Sequence, residues 1–297
     1  MMDGITTGTE DETGRPALDP AEVARVVAMA LAEDVGPGDV TTLATIPAGA
    51  GCEAQLRARQ AGVVAGLPVA IAAFRHLDPT LAISEARRDG DRIEAGDVLL
   101  TIRGHARPVL TAERVALNFV QRLSGIATLT ARYVECVRGT RARIVDTRKT
   151  TPGLRRLEKY AVRVGGGHNH RFGLFDGILI KDNHIVAAGG VAAAVHAARA
   201  NAPHSLRIEV ETETLEEVEA ALAAGADAIL LDNMPPEQLR QAVELVGGRA
   251  VTEASGGITL TNVRAVAETG VDLISIGALT HSAPSLDLGL DFTLKGG

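Results

Sequence analysis

LRIEVETETLEEVEAALAAGADAILLDN, residues 206–233, holds one complete strand–helix–strand unit. Its apolar and β-branched runs predict strands over Leu206–Val210 and Ala228–Leu231, with an Ala- and Leu-rich helix near 214–223 between them. The same alternation extends in both directions. Further strands are read at Ile144–Asp146, Gly177–Ile180, Ala250–Glu253 and Leu273–Ile276, and further helices near 154–164, 189–201, 236–247 and 260–269. Repeated βα units imply a parallel sheet, and connections of one hand roll it towards a barrel. Six strands are visible where a full barrel has eight, so the barrel is either incomplete or contains a strand the pattern hides.

Upstream of Arg143 the pattern is mixed α+β. A helix over 21–33 follows the start signal Asp19-Pro20 and stops at Val35-Gly36-Pro37-Gly38. Short alternating segments, Glu53–Arg57 and Asp97–Ile102, are separated by turns at Arg88–Asp91 and Glu94–Asp97 and read as a small sheet. A long helix is expected over 111–138, capped by Thr111, with Leu117, Val120 and Leu123 on one side. Gly125 should weaken its middle by roughly 1 kcal/mol relative to Ala. Residues 1–18 are polar and acidic, lack the features of a signal peptide, and are expected to form a disordered tail.

Composition narrows the function. Apolar residues make up 46% of the 297, enough for a core, whereas aromatics are 2% and Trp is absent. Stacking on nucleic-acid bases is therefore not expected. The net charge of -7 argues against attraction to nucleic acid or anionic membranes. Cys52 and Cys136 read as free thiols of a reducing cytoplasm.

Catalytic groups of βα barrels come from the C-terminal ends of strands. Here those ends carry Asp146-Thr147-Arg148-Lys149, Lys181-Asp182-Asn183-His184, Glu211, Asp232-Asn233, Ser255-Gly256-Gly257 and Gly277-Ala278. Residues 141–184 hold ten Lys or Arg against four Asp or Glu in a chain that is otherwise acidic, which marks a site for a multiply charged anion. Arg155, Arg156, Lys159 and Arg163 suit a solvated helix face, while Arg148, Lys149 and Lys181 sit at strand ends. Ser255-Gly256-Gly257, leading into a helix near Leu260, and Gly277-Ala278 one unit later suit a phosphate held by backbone N–H groups. Glu211 and Asp232 suit Mg²⁺ on a polyphosphate, or a positive sugar carbon. His168 and His170 could form a metal pair, but they follow a helix rather than a strand, and an anion-holding role for His170 and Arg171 is favoured.

These motifs, in order, resemble the quinolinate phosphoribosyltransferases (nicotinate-nucleotide pyrophosphorylases, carboxylating), of the type II phosphoribosyltransferases, from about residue 20 to 292. The runs that carry the resemblance include Leu31–Gly36, Gly38–Thr42, Ala112–Arg114, Leu123–Thr128, Asp146–Thr150, Gly165–Arg171, Ile180–His184, Glu209–Glu211, Leu231–Asn233, Ser255–Gly257 and Gly277–His281. The resemblance implies an α/β fold: an incomplete seven-stranded α/β barrel over 128–281, and an N-terminal α/β sandwich domain over 19–127 joined by the C-terminal segment 282–297. It implies transfer of phosphoribosyl from 5-phosphoribosyl 1-diphosphate to quinolinate with decarboxylation, giving nicotinate mononucleotide, CO₂ and diphosphate for NAD synthesis. It also implies a cytoplasmic homodimer in which Arg114 completes the partner's pocket, and the cofactor Mg²⁺ at Glu211 and Asp232. Arg114, Thr147, Arg148, Lys149, His170, Arg171 and Lys181 would bind substrate, Lys149 and Lys181 being candidates to assist decarboxylation together with catalytic Glu211 and Asp232. Ser255, Gly256, Gly257, Ile276, Gly277 and Ala278 would hold the 5′-phosphate. The alternatives are a nicotinate phosphoribosyltransferase on the same barrel, or a non-catalytic sugar-phosphate-binding barrel.

Overall fold

The computed structural model describes residues 9–10 and 16–294. In chain order the elements are β1 (Thr9–Glu10), β2 (Pro16–Ala17), α1 (Pro20–Val35), α2 (Val40–Thr45), β3 (Gly51–Ala58), β4 (Gly62–Val63), α3 (Leu67–Leu77), β5 (Ala82–Glu85), β6 (Arg92–Ile93), β7 (Val98–His105) and α4 (Ala106–Cys136). There follow β8 (Arg143–Val145), α5 (Arg155–Val164), β9 (Ile178–Ile180), α6 (Asp182–Ala188), α7 (Val191–Asn201), β10 (Ile208–Thr212), α8 (Leu215–Ala223) and β11 (Ala228–Asp232). The chain closes with α9 (Pro236–Val246), β12 (Val251–Ser255), α10 (Val263–Ala267), β13 (Leu273–Ser275), α11 (Ala278–His281) and β14 (Leu288–Leu294). Of the expected tail, residues 1–8 and 11–15 lie outside the described residues, and Thr9–Glu10 pairs antiparallel with Pro16–Ala17.

Two compact units form. The first comprises the described residues up to 131 together with 150–166 and those from 280 onward. Its sheet is antiparallel, in the order β14-β3-β7-β5. Along β3, Cys52, Ala54, Leu56 and Ala58 are buried and their neighbours are not, the period of two expected of a sheet with one covered face. β14 pairs with β3, as the implied return of the C-terminal segment requires. Asp19 caps α1 by accepting from the Ala21 amide at 2.9 Å, and Pro20 sits where its missing N–H costs nothing.

The segment 150–166, which the sequence assigns to the barrel, clusters instead with this first unit. The reason is burial. α5 hides Leu157, Tyr160, Ala161 and Val162, and the Tyr160 hydroxyl donates to Asp89 at 2.6 Å. Burial pushes the Asp89 carboxyl up to about 6, while the hydrogen bonds from Tyr160, Gly66 and Leu67 act in the opposite direction.

The second unit, residues 132–149 and 167–279, is the barrel. All six strands pair in parallel, in the order β8-β13-β12-β11-β10-β9. The strand first in sequence thus lies beside the last, as it must when a βα sheet curls around on itself. β10 and β11 are almost continuously buried, the signature of a parallel sheet covered on both sides. The seventh strand position is His168, joined to Val145 by a single parallel bridge. The pattern hides it because Gly165-Gly166-Gly167-His168 has no β-branched residue. Among the described residues no ladder joins His168 to β9, so the barrel is open there.

Some helix boundaries differ from expectation, and two helices are additional. α4 starts at Ala106, directly out of β7, rather than at Thr111, and ends at Cys136. Two short helices, α2 and α6, were not anticipated, being too brief to show an apolar period. α10 begins at Val263 rather than near Leu260, because Asn262 ties the preceding turn: its Oδ1 accepts from the Thr259 amide at 2.7 Å and its Nδ2 donates to the Gly257 carbonyl at 2.9 Å.

Gly125 has a role that helix propensity misses. A Cβ there would overlap the Pro284 carbonyl oxygen and lie 3.1 Å from the Ser285 Cα. The helix therefore gives up roughly 1 kcal/mol of propensity so that the C-terminal segment can lie against its backbone. Gly125→Ala should lower stability by about 1–3 kcal/mol despite the better helix former, because the obstruction is main chain and cannot swing away. A thermal melt that rises in the variant would refute this reading.

Candidate active site

Parallel pairing carries the C-terminal ends of all six strands to one rim. Fourteen of the fifteen expected site residues belong to this barrel unit; Arg114 is exposed on α4 in the first unit. Ile180 pairs in register with Val210, so Lys181 and Glu211 leave adjacent strands at one level. They meet: Lys181 Nζ lies 2.5 Å from Glu211 Oε2. The Lys181 amide donates to His184 Nδ1 at 3.0 Å, which fixes the backbone where β9 turns into α6. One strand over, Asp232 pairs in register with Ser255. Asp232 Oδ2 accepts from Asn233 Nδ2 at 2.7 Å.

Asn233 takes a left-handed conformation at φ 53°, and its amide donates to the Ser255 carbonyl at 2.9 Å. Gly256, at φ 87°, faces it so closely that a Cβ would lie 3.0 Å from the Asn233 amide nitrogen and overlap its side-chain oxygen. Gly257 also takes a left-handed turn, at φ 63°, with nothing within 4 Å of where a Cβ would stand. β12 and β13 are neighbours, so Ser255–Gly257 and Ile276–Ala278 leave the rim side by side. The two glycine loops are the part of the rim that a phosphate can approach along the backbone.

The cations gather around a buried carboxylate. Asp146, fully buried where β8 ends, accepts from the His170 amide at 2.9 Å and from Asn169 Nδ2 at 2.6 Å. This anchors the loop carrying His170 and Arg171 beside the loop carrying Thr147, Arg148 and Lys149. The Thr147 hydroxyl accepts from the Lys149 amide at 3.1 Å, and Lys149 is exposed. Arg171 donates to the Gly177 carbonyl at 2.9 Å. Burial, and then the positive charge of Arg148, hold the Arg171 guanidinium below its ordinary value, while Glu209 and Asp176 oppose the shift. Two guanidiniums close enough to repel, both half-buried, form a place that an anion stabilises.

His170 faces two carboxylates. Its Nδ1 accepts from the Arg171 amide at 2.7 Å, which leaves the ring proton on Nε2. That nitrogen points at Glu209 Oε2, 3.0 Å away, and lies 3.6 Å from Glu253 Oε2. The three groups are close enough to suggest a metal cluster, all ligand atoms lying within 4.8 Å of one another. The tautomer argues otherwise, since a protonated Nε2 donates a hydrogen bond and offers no lone pair. Glu253 is 1% exposed, and among the described residues neither of its oxygens receives a hydrogen bond. Burial, reinforced by the neighbouring charge of Glu209, pushes its carboxyl up to about 8.

Sequence reasoning gave no role to Asp146, Glu209 or Glu253. A signal for Glu209 was present, because residues two apart on a strand share a face and Glu209 precedes Glu211 by two. Nothing in the sequence distinguishes Glu253 from an ordinary strand-end acid.

An incomplete parallel barrel whose rim sets crowded cations beside two carboxylates and paired glycine loops defines an enzyme that handles phosphorylated, polyanionic substrates. The comparisons narrow that class. Residues 39–124 match the quinolinate phosphoribosyl transferase N-terminal domain, and residues 126–291 match the C-terminal domain. The probable nicotinate-nucleotide pyrophosphorylase (carboxylating) of Bacillus subtilis (strain 168) is 50% identical over 263 residues, 89% of this chain and 91% of that protein. The nicotinate-nucleotide pyrophosphorylase (carboxylating) of Mycobacterium leprae (strain TN) is 50% identical over 271 residues, 88% of this chain and 94% of its own. The crystal structure of NadC from Streptococcus pyogenes superposes with a TM-score of 0.91 at 47% identity, covering 94% of this chain and 99% of that one. The chain belongs to the quinolinate phosphoribosyltransferase family.

The raised Glu253 carboxyl makes stability depend on pH in a definite direction. The unfolded carboxyl ionises near its ordinary 4.5, the folded one near 8. Between these values the folded chain binds more protons, so the contribution is complete below 4.5 and is lost as pH rises towards 8. Glu253→Gln cannot ionise and removes this component. In urea unfolding the wild type should lose roughly 2–4 kcal/mol relative to the variant between about pH 5 and pH 8. A difference that stays flat across that range would mean the carboxyl is ionised in the fold.

Proposed function

We propose that this protein transfers the phosphoribosyl group of 5-phosphoribosyl 1-diphosphate to quinolinate and releases CO₂, forming nicotinate mononucleotide and diphosphate for NAD synthesis. The observation that carries the reading is the Asp146 anchor, which sets the loop bearing Arg171 beside the loop bearing Arg148, near enough for the charge of Arg148 to lower the Arg171 guanidinium. The pair is suited to a reactant with two carboxylates on one ring. Lys149 and Lys181 extend the positive charge towards the second, phosphorylated reactant.

The chemistry follows from charge. The pyridine nitrogen donates its lone pair to the sugar carbon as the bond to diphosphate breaks. Positive charge builds on that carbon, and Glu211 and Asp232 on adjacent strand ends are placed to stabilise it. The carboxylate beside the nitrogen then leaves as CO₂. Its bonding pair remains on the ring carbon, stabilised by the adjacent pyridinium, until a proton is taken up. Lys149 or Lys181 assists this step by holding the departing carboxylate's position. Glu211 and Asp232 supply hard oxygen donors of the kind Mg²⁺ takes, and bound Mg²⁺ would offset charge on the leaving diphosphate. Ser255, Gly256, Gly257, Ile276, Gly277 and Ala278 hold the 5′-phosphate through backbone amides.

We further infer a homodimer in which the exposed Arg114 reaches the partner's site, and a cytoplasmic setting. The two free cysteines suit a reducing compartment, and among the described residues no helix is long and apolar enough to cross a membrane.

Incubated with Mg²⁺ and 5-phosphoribosyl 1-diphosphate, the protein should release CO₂ and diphosphate with quinolinate and be nearly inert with nicotinate. Preference for nicotinate would overturn the assignment. Lys181→Ala, which also strands Glu211, should lower kcat/KM by roughly 10²-fold. Mixing Arg114→Ala with Lys149→Ala subunits should restore about a quarter of wild-type turnover if Arg114 acts across a two-fold interface. Two inactive proteins that stay inactive on mixing and refolding together would place Arg114 in its own subunit's site, or in none.

A further inference from the structure

An ion pair within the first unit, with its carboxylate fully buried and its guanidinium partly so, stands outside the chemistry described above. Glu158 on α5 is fully buried and heavily hydrogen-bonded. Its Oε1 accepts from Arg122 Nη2 at 2.9 Å, Arg122 Nε at 3.3 Å and the Thr151 hydroxyl at 2.8 Å. Its Oε2 accepts from the Thr151 amide at 3.0 Å. Arg122 on α4 also donates to the carbonyls of Thr280 and, at 3.1 Å, Ala283. Arg155 adds a bond from its Nε to the Thr150 hydroxyl at 2.9 Å.

The residues this pair grips are informative. Thr151 follows Lys149 by two positions, and Thr280 follows Ala278 by two. One guanidinium–carboxylate pair therefore fixes the trailing ends of both the Thr147–Lys149 loop and the Gly277–Ala278 loop. A buried ion pair is weak support for stability, since a well-packed apolar pair of the same volume does as well or better. It does supply direction: the planar guanidinium has five donors in a rigid fork, here shared between one carboxylate and two carbonyls. Positional precision is what a reaction between two anions needs, because a displacement of about 1 Å can cost roughly 100-fold in rate.

We propose that Arg122 and Glu158 are positioning residues that hold the carboxylate-binding loop and the phosphate-binding loop in fixed register. The proposal rests on the function assigned above to Lys149, Gly277 and Ala278. Both act at one remove from the reactants: Glu158 through its bonds to Thr151, two residues beyond Lys149, and Arg122 through Glu158 and the Thr280 and Ala283 carbonyls.

The test uses Glu158→Gln and Arg122→Lys, which keep side-chain volume close to native, and Thr151→Val, which removes one hydroxyl bond and leaves the ion pair in place. Turnover is measured for each, alone and combined with Lys149→Ala, and amide hydrogen exchange is followed over residues 147–153 and 277–283. Glu158→Gln should lower kcat about tenfold or more in the wild-type background and less than about twofold in the Lys149→Ala background. Arg122→Lys should in addition raise KM for 5-phosphoribosyl 1-diphosphate. Exchange should quicken in the two loops and stay unchanged in the α4 and α5 helices. Fully additive kinetic losses, or exchange that quickens equally throughout α4 and α5, would overturn the proposal by showing a general loss of stability. If Lys149→Ala has no measurable turnover, or the wild type itself does not turn over quinolinate, the exchange pattern alone decides. Inactive wild type would count against the assigned function, while local quickening confined to the two loops would still support the register role.

Discussion

Alternation along a single strand governs the site. In β10 the side chains of Glu209 and Glu211 leave the same face, one a strand layer deeper than the other. The deeper acid meets His170 and the shallower meets Lys181. Strands two apart are separated by roughly 9.5 Å, yet Glu209 on β10 and Glu253 on β12 bring oxygens within 4.8 Å of the same imidazole nitrogen. Such convergence is available on the concave side of a curled sheet. Parallel pairing, curvature and the period of two together turn six short strands into one chemical rim.

Much of this was legible in the sequence, and the parts that were not share a cause. The six paired strands, the helices α7, α8 and α9, the Asp19 cap and the rim residues Lys181, Glu211 and Asp232 all announce themselves through local pattern. Periodicity, caps and strand-end chemistry are properties of neighbouring residues. The seventh strand position at His168 is a one-residue bridge in a glycine run, and its pairing is specified by Val145, far upstream. The placement of α5 depends on contacts with Asp89 and Arg122, which no window around residue 158 contains. The carboxylates of Glu209 and Glu253 beside the His170 ring come from strands far along the chain, so no window around residue 170 contains them. The direction of its ring is set by the Arg171 amide, a detail of backbone geometry.

The two buried acids Glu158 and Glu253 show how differently a protein interior can treat the same side chain. Glu158 is fully buried and surrounded by donors from Arg122 and Thr151. Glu253 has the acid Glu209 and the His170 ring beside it, and burial, reinforced by Glu209, pushes its carboxyl up. One is part of a network that ties distant segments together. The other is buried without a hydrogen-bond partner among the described residues. Counting charged residues in a sequence treats the two as equal, and only their surroundings separate them.

The contact between Gly256 and Asn233 has an evolutionary reading. A Cβ at 256 would overlap the Asn233 side chain and stand 3.0 Å from its amide nitrogen, and Asn233 is already in a backbone conformation that most residues avoid. Neither position can drift alone: a larger residue at 256 requires the loop after β11 to retreat, and that loop bears Asp232. Substitution at 256 is therefore coupled to the side chain at 233, and through it to the loop that bears Asp232.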